Sequence, residues 1–196
     1  MISFSYNDSD FQFMVFMVEE VHLMSLINKE VSDFTAKAFH NNGFITVTKE
    51  DLLGKWSVFF FYPADFTFVC PTELADLESF YEEFKKIGCE IYSVSCDTEF
   101  VHKAWHDHSP LIKDITYPMM ADPTHALARD FEVLIEDAGV AERGTFIINP
   151  EGQIVSYEVN AGNVGRNAEE LLRKVQVASS SVNTRRSVPG SLDTGC

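Results

Sequence analysis

The feature that most constrains this chain is an apolar run, Trp56 to Tyr62, that ends at a proline. Only Ser57 interrupts it, so the segment cannot turn one clean face to water. It reads as a strand buried on both faces, which calls for helices on both sides of its sheet. Directly after it stands Pro63-Ala64-Asp65-Phe66-Thr67-Phe68-Val69-Cys70-Pro71-Thr72-Glu73, followed by a helix-like pattern. The carboxyl end of a strand opens onto a crevice, and the N-terminus of the next helix offers unpaired N–H groups and positive potential. Both favour thiolate over thiol at Cys70, and the thiolate is the reactive species. Pro71 suits the first helical position, because its missing N–H would have no helical partner there. That puts Cys70 at or beside the N-cap. Thr67 can offer a hydroxyl to the thiolate or its substrate, and Pro63 fixes the loop entry and can shield the sulfur from water. A lone cysteine is ordinarily a small buried hydrophobe; the whole string, rather than the Cys-Pro pair, argues for chemistry.

Strand and helix patterns alternate along the rest of the chain. Phe44 to Thr48 alternates as a short strand. From Pro71 to Ile87, Leu74, Leu77, Phe80, Tyr81, Phe84 and Ile87 recur at helical spacing, with acids early, Lys85 and Lys86 late, and Gly88 as the stop. Glu90 to Ser95 predicts a strand, Glu99 to His108 a helix, Tyr117 to Met120 a short strand and Pro123 to Asp130 a helix. Thr145 to Ile148 and Gln153 to Glu158 form strands joined by an Asn-Pro-Glu-Gly turn. Asn167 to Ala178 is a last amphipathic helix. Strands alternating with helices and closing on a hairpin give an α/β fold, a mixed central sheet flanked by helices.

At 196 residues, with 45% apolar and 23% charged residues, the chain suits one soluble domain. A formal net charge of −15 argues against nucleic acid or an anionic membrane as partner. Four irregularly spaced cysteines without a C-x-x-C pair suit neither a disulfide scaffold nor a zinc site, and fit a reducing cytoplasm. Phe11 to Val18 is too short to span a bilayer, which takes ~20 residues, and it lacks the basic flank of a secretory signal. Residues 1–23 read as an extension, either a start-site artefact or a disordered tail; 24–178 as the folded domain; 179–196 as an atypical, disordered, non-helical tail.

The string from Pro63 to Glu73 resembles the active-site loop of peroxiredoxins. Phe59 to Pro63, Val94 to Thr98, His102 to His106 and Arg143 to Ile147 resemble family segments in family order, closest to the typical two-cysteine branch of the alkyl hydroperoxide reductase C type. The resemblance covers Met24 to Ala178 and implies a thioredoxin-like fold and a thiol peroxidase that needs no metal, haem or other cofactor. It makes Cys70 the peroxidatic cysteine, with Pro63, Thr67 and Arg143 around it. A permanently charged guanidinium at Arg143 would hold the thiolate and stabilise the leaving oxygen; the plainer reading is a surface ion pair with Glu142. Glu73, one turn into the helix, orients Arg143 or is simply a solvated carboxylate. His102 and His106, four apart, would suit zinc, yet no third ligand stands out. Cys89 and Cys96 border a buried strand and read as core thiols.

The likeness fails at the C-terminus. A sulfenic acid on Cys70 must be resolved by a second thiol, which the family keeps in a Val-Cys-Pro context. Here the only tail cysteine is Cys196, in a Thr-Gly-Cys setting. A reading frame displaced by two bases from Ser180 onward can encode the family's tail, so a frameshift explains the departure. Otherwise Cys196 resolves from a flexible arm, or an outside thiol does. The implied partners are a hydroperoxide, a reducing flavoprotein or thioredoxin-like reductase, and copies of the same chain as a homodimer assembling into a decamer. Competing readings are a ring-forming holdase, which Cys70→Ser would spare, and a thiol–disulfide oxidoreductase, which would want C-x-x-C.

Overall fold

The computed structural model describes residues 25–184; the expectations for residues 1–23, for the tail beyond 184 and for Cys196 lie outside the described residues. In chain order the elements are β1 (Thr35–His40), β2 (Gly43–Thr48), a 3-10 turn (Lys49–Leu52), β3 (Trp56–Phe61), α1 (Cys70–Ser79), α2 (Tyr81–Lys86) and β4 (Cys89–Ser95). There follow α3 (Glu99–His108), β5 (Met119–Ala121), α4 (Ala126–Asp130), β6 (Leu134–Ile135), β7 (Val140–Ala141), β8 (Arg143–Ile148), β9 (Ile154–Asn160) and α5 (Ala168–Thr184).

Seven strands form one mixed sheet in the order β2-β1-β5-β4-β3-β8-β9. β3 runs parallel to β4, and β4 to β5, while β1 and β8 flank this centre antiparallel. The apolar run occupies the middle, and every residue of β3 is buried. Because side chains alternate across a strand, Val58, Phe60 and Tyr62 enter one core with Leu74, Leu77, Phe84, Trp105 and Val175. Phe59 and Phe61 enter the other with Phe131, Val133 and Phe146. Each such ring, fully withdrawn from water, contributes about 1.5–3 kcal/mol. Burial on both faces, expected from the run, is what fixes β3 at the centre.

The register of β3 on β8 decides where the site lies. Phe60 pairs with Thr145 and Ser57 with Ile148, so β8 starts where β3 ends. Arg143 therefore sits beside the loop that leads from β3 to Cys70.

Several boundaries differ from expectation. The helix predicted over Pro71–Ile87 is two, broken at Phe80, whose backbone leaves helical geometry at φ −105° and ψ 0°. Ser79 donates its hydroxyl to the Asp76 carbonyl there, the local competition that weakens a helix. The helix expected from Pro123 begins at Ala126, after a turn in which His125 takes φ 60°. The last helix continues past Ala178 to Thr184, although this stretch reads as non-helical. Ser179 and Ser180 bond back to the Gln176 carbonyl at 3.0 and 2.8 Å, which satisfies hydroxyls that would otherwise favour a turn. β1, the 3-10 turn and the β6–β7 hairpin have no counterpart in the sequence reading.

Gly144, next to Arg143, is held by its surroundings. A Cβ there would come within 2.7 Å of Val133 Cγ1 and 2.8 Å of Phe146 Cε2, in a wall where Phe131 and Phe146 already meet at 4.8 Å. Gly144→Ala should destabilise the fold by about 1–3 kcal/mol, read as a lower urea midpoint with the slope unchanged.

Candidate active site

Cys70 is the first residue of α1, with Val69 as N-cap and Pro71 in the first turn. The helix thus starts one residue earlier than Pro71 suggests. Its sulfur is fully buried at the positive end of α1. Arg143 Nη1 donates to Cys70 Sγ at 3.4 Å and also to Glu73 Oε2. Arg143 Nε donates to the Gly162 carbonyl at 2.8 Å.

Glu73, one turn along α1, carries a second arginine. Arg166 Nε donates to Glu73 Oε1 at 3.0 Å, its Nη2 to Oε2 at 3.3 Å, and its backbone N–H to Oε1 at 2.8 Å. Arg166 Nη1 reaches the Gly144 carbonyl and Thr145 Oγ1 at 2.9 and 3.1 Å, and the guanidinium lies 3.4 Å over the Phe60 ring. Burial pushes Arg166 below its ordinary value, with Glu73 opposing. The side chains of Glu73, Arg143 and Arg166 are 3%, 4% and 2% exposed. Two guanidiniums against one carboxylate leave one positive charge away from water, which is costly unless it is balanced. The Cys70 sulfur lies 3.4 Å from this cluster.

Arg143 and Glu73 are thus brought together with Cys70; the plainer readings, a surface pair with Glu142 and a solvated carboxylate, do not hold. Thr67 is different. It is exposed, and its hydroxyl donates to the Ala64 carbonyl at 2.9 Å rather than to the sulfur. The Asp65–Val69 turn aims it there, which leaves its oxygen free to accept from a substrate. Pro63 is half-buried at the loop entry. Phe66 adopts φ 56°, a strained setting for an aromatic residue, and its ring lies on Trp105 at 6.0 Å.

Sequence reasoning missed Arg166. One signal was available: a cation immediately before a helix N-terminus is disfavoured by the macrodipole, so its presence there implies a partner elsewhere. His102 and His106 do not share a site: both ring nitrogens of His102 face oxygens of Asp65 and Met120, and His106 faces the Ile115 carbonyl. Among the described residues, no group of three or more His, Cys, Asp or Glu is arranged to hold a metal.

A family model, AhpC/TSA family, matches residues 27–157. The chain belongs to the AhpC/TSA family. Alkyl hydroperoxide reductase C of Bacillus subtilis (strain 168) is 59% identical over 155 residues, 79% of this chain and 83% of that protein. Its namesake in Staphylococcus aureus (strain Mu50 / ATCC 700699) is 56% identical over 157 residues, 79% and 83% of the two chains. The crystal structure of Enterococcus faecalis AhpC superposes with a TM-score of 0.83 at 52% identity, covering 84% of this chain and 99% of that one. Reduced 2-Cys peroxiredoxin of Plasmodium vivax reaches the same TM-score at 28% identity, covering 88% and 92%. This AhpC/TSA chain therefore has the thioredoxin-like peroxiredoxin fold and is a thiol-dependent peroxidase. No helix among the described residues is long and apolar enough to cross a membrane.

The other described cysteines sit in unlike surroundings. Burial pushes the Cys89 thiol up, with Glu90 adding to it. Burial, then Asp122 and Asp97, push Cys96 up to about 11. A raised value keeps the thiol protonated below it. Cys96 should therefore alkylate slowly at neutral pH and about tenfold faster per pH unit toward about 11, as peptide mapping with iodoacetamide would read. Glu73→Gln leaves two buried guanidiniums without a counter-charge and should cost about 3–5 kcal/mol by denaturant unfolding.

Proposed function

We propose that Cys70 is the peroxidatic residue and that Arg143 and Glu73 prepare it. The reading rests on one observation: Arg143 Nη1 lies 3.4 Å from Cys70 Sγ inside a buried cluster in which two guanidiniums share the Glu73 carboxylate. The thiolate sulfur attacks one peroxide oxygen, and the S–O bond forms as the O–O bond breaks. The bonding pair leaves on the other oxygen as hydroxide or alkoxide, which takes a proton from water. The sulfur is oxidised by two electrons to sulfenic acid, and the peroxide is reduced to water or an alcohol. Arg143 stabilises the charge that moves from sulfur to leaving oxygen. Thr67 accepts the peroxide O–H, and Pro63 limits water at the loop entry. The product serves antioxidant defence: peroxide removed, with the oxidising equivalent stored on one sulfur.

A thiol then attacks the sulfenic acid to give a disulfide and water. Cys196 is the resolving thiol the chain itself offers, and an external thiol is the alternative. A flavoprotein or thioredoxin-like reductase returns the disulfide to thiols. The three described cysteines are free, which fits a reducing cytoplasm. Homodimer formation is supported by β9, an edge strand with Tyr157 and Val159 exposed and ready to pair with a second copy. Assembly of dimers into a decamer is supported by exposed aromatic rings at Phe66, Phe68 and Phe100.

The test is one equivalent of hydrogen peroxide on reduced protein, followed by non-reducing peptide mass spectrometry. Oxidation should fall on Cys70, as a disulfide with Cys196 or as sulfenic and sulfinic acid; no selective change at Cys70 sinks the reading. Arg143→Ala should slow that oxidation about 10²–10³-fold.

A further inference from the structure

His102 has no part in the chemistry above, yet it sits in an unusual place. It is fully buried on α3, and both its nitrogens meet oxygens. Nδ1 lies 2.8 Å from Asp65 Oδ2, and Nε2 lies 3.0 Å from the Met120 carbonyl of β5. A neutral imidazole has one N–H and can donate to only one of these oxygens. Both contacts are made together when the ring shares a further proton with the Asp65 carboxyl group, which is only 1% exposed. Around the pair, Tyr62 donates its hydroxyl to Asp65 Oδ1 at 2.7 Å. The Asp97 carboxylate accepts the Asp65 backbone N–H and the Ser95 hydroxyl, each at 2.9 Å. Burial and the Asp65 charge push the Tyr62 phenol well up, which keeps it a donor.

Asp65 belongs to the loop between β3 and Cys70. The next residue, Phe66, is held in its left-handed conformation with its ring on Trp105. His102 and Trp105 are three apart and share one face of α3. Two consecutive loop residues thus dock on one helix face, Asp65 through its hydrogen bond and Phe66 through its ring. A loop with one residue in a strained conformation keeps it only where its surroundings over-determine it.

We propose that His102 is a positioning residue: its ring grips Asp65 and so holds the loop Pro63–Val69 in the shape that presents Cys70 to the peroxide. It acts through the loop rather than on the sulfur, and the inference rests on Cys70 being the reacting thiol. The charge nest of Arg143, Glu73 and Arg166 is a separate set of contacts, so removing the grip alters presentation of the sulfur without altering its ionisation.

The test is stopped-flow oxidation by hydrogen peroxide of the wild-type protein, His102→Phe, His102→Gln and Asp65→Asn. Thiolate absorbance at neutral pH, as the difference from Cys70→Ser, is followed in parallel. His102→Phe should slow oxidation about tenfold or more, with the thiolate signal unchanged. His102→Gln keeps a donor toward Asp65 and should recover part of the rate; Asp65→Asn, nearly isosteric, should follow the Phe variant. Oxidation within about twofold of wild type in His102→Phe overturns the proposal, and so does a thiolate signal that falls in step with the rate. Should His102→Phe not fold, the Gln and Asn variants decide on the same two readouts. A wild-type Cys70 that does not react at all counts against the peroxidatic assignment instead, a separate outcome.

Discussion

Glu73 holds two arginines with one carboxylate, and the architecture of the site follows from that imbalance. Neither guanidinium could be buried alone, because an unpaired charge in a protein interior costs several kcal/mol. The carboxylate reduces the deficit to a single charge and ties α1 to the start of β8 and to the segment before α5. Asp76, one turn later on α1, accepts the Ala168 backbone N–H at 2.9 Å and secures the same segment. Beside the arginine pair lies the sulfur at the helix N-terminus, 3.4 Å from Arg143 Nη1. The Cys70 thiol and the buried arginine beside it are therefore one structural unit.

The sheet makes this unit possible. β3 is buried on both faces and must lie at the centre, where it pairs with β4 on one side and antiparallel with β8 on the other. The antiparallel register returns the chain to the end of β3, so Arg143 arrives beside a cysteine 73 positions earlier in sequence. Gly144 admits this approach, because any side chain there would collide with Val133 and Phe146. Above the sheet edge, the loop that carries Asp65 and Phe66 rests on α3. The helix that in sequence showed only a pair of histidines thus becomes a platform under the loop that leads to Cys70.

Much of the site was legible because its signals are local. The Trp56–Tyr62 run, the proline that stops it and the Cys-Pro that opens a helix are neighbours in sequence, so periodicity and turn chemistry read them directly. Glu99–His108 was legible for the same reason, its apolar spacing and Thr98 cap being contiguous. Short elements escaped. β6 and β7 are two residues each and exist because they pair with one another. β1 is stabilised by β2 and β5 rather than by a pattern of its own. The end of the last helix was misread because serines read as turn formers until their hydroxyls find a helical carbonyl. Thr67 was placed correctly in the loop, yet which atom its hydroxyl meets depends on the turn from Asp65 to Val69.

By itself the sequence determined a central buried strand, a thiol at a helix N-terminus and an α/β layering. Each follows from side-chain hydrophobicity, proline's missing N–H and the spacing of apolar residues, all properties of short segments. Tertiary structure alone decided that Arg166 shares Glu73, that both nitrogens of His102 meet oxygens, and that the Thr67 hydroxyl donates to the Ala64 carbonyl. Those facts are set by charge balance and hydrogen-bond counting among groups distant in sequence, such as Glu73 and Arg166 or Asp65 and His102. Burial makes that accounting strict, since a polar group removed from water has to find its partner within the fold.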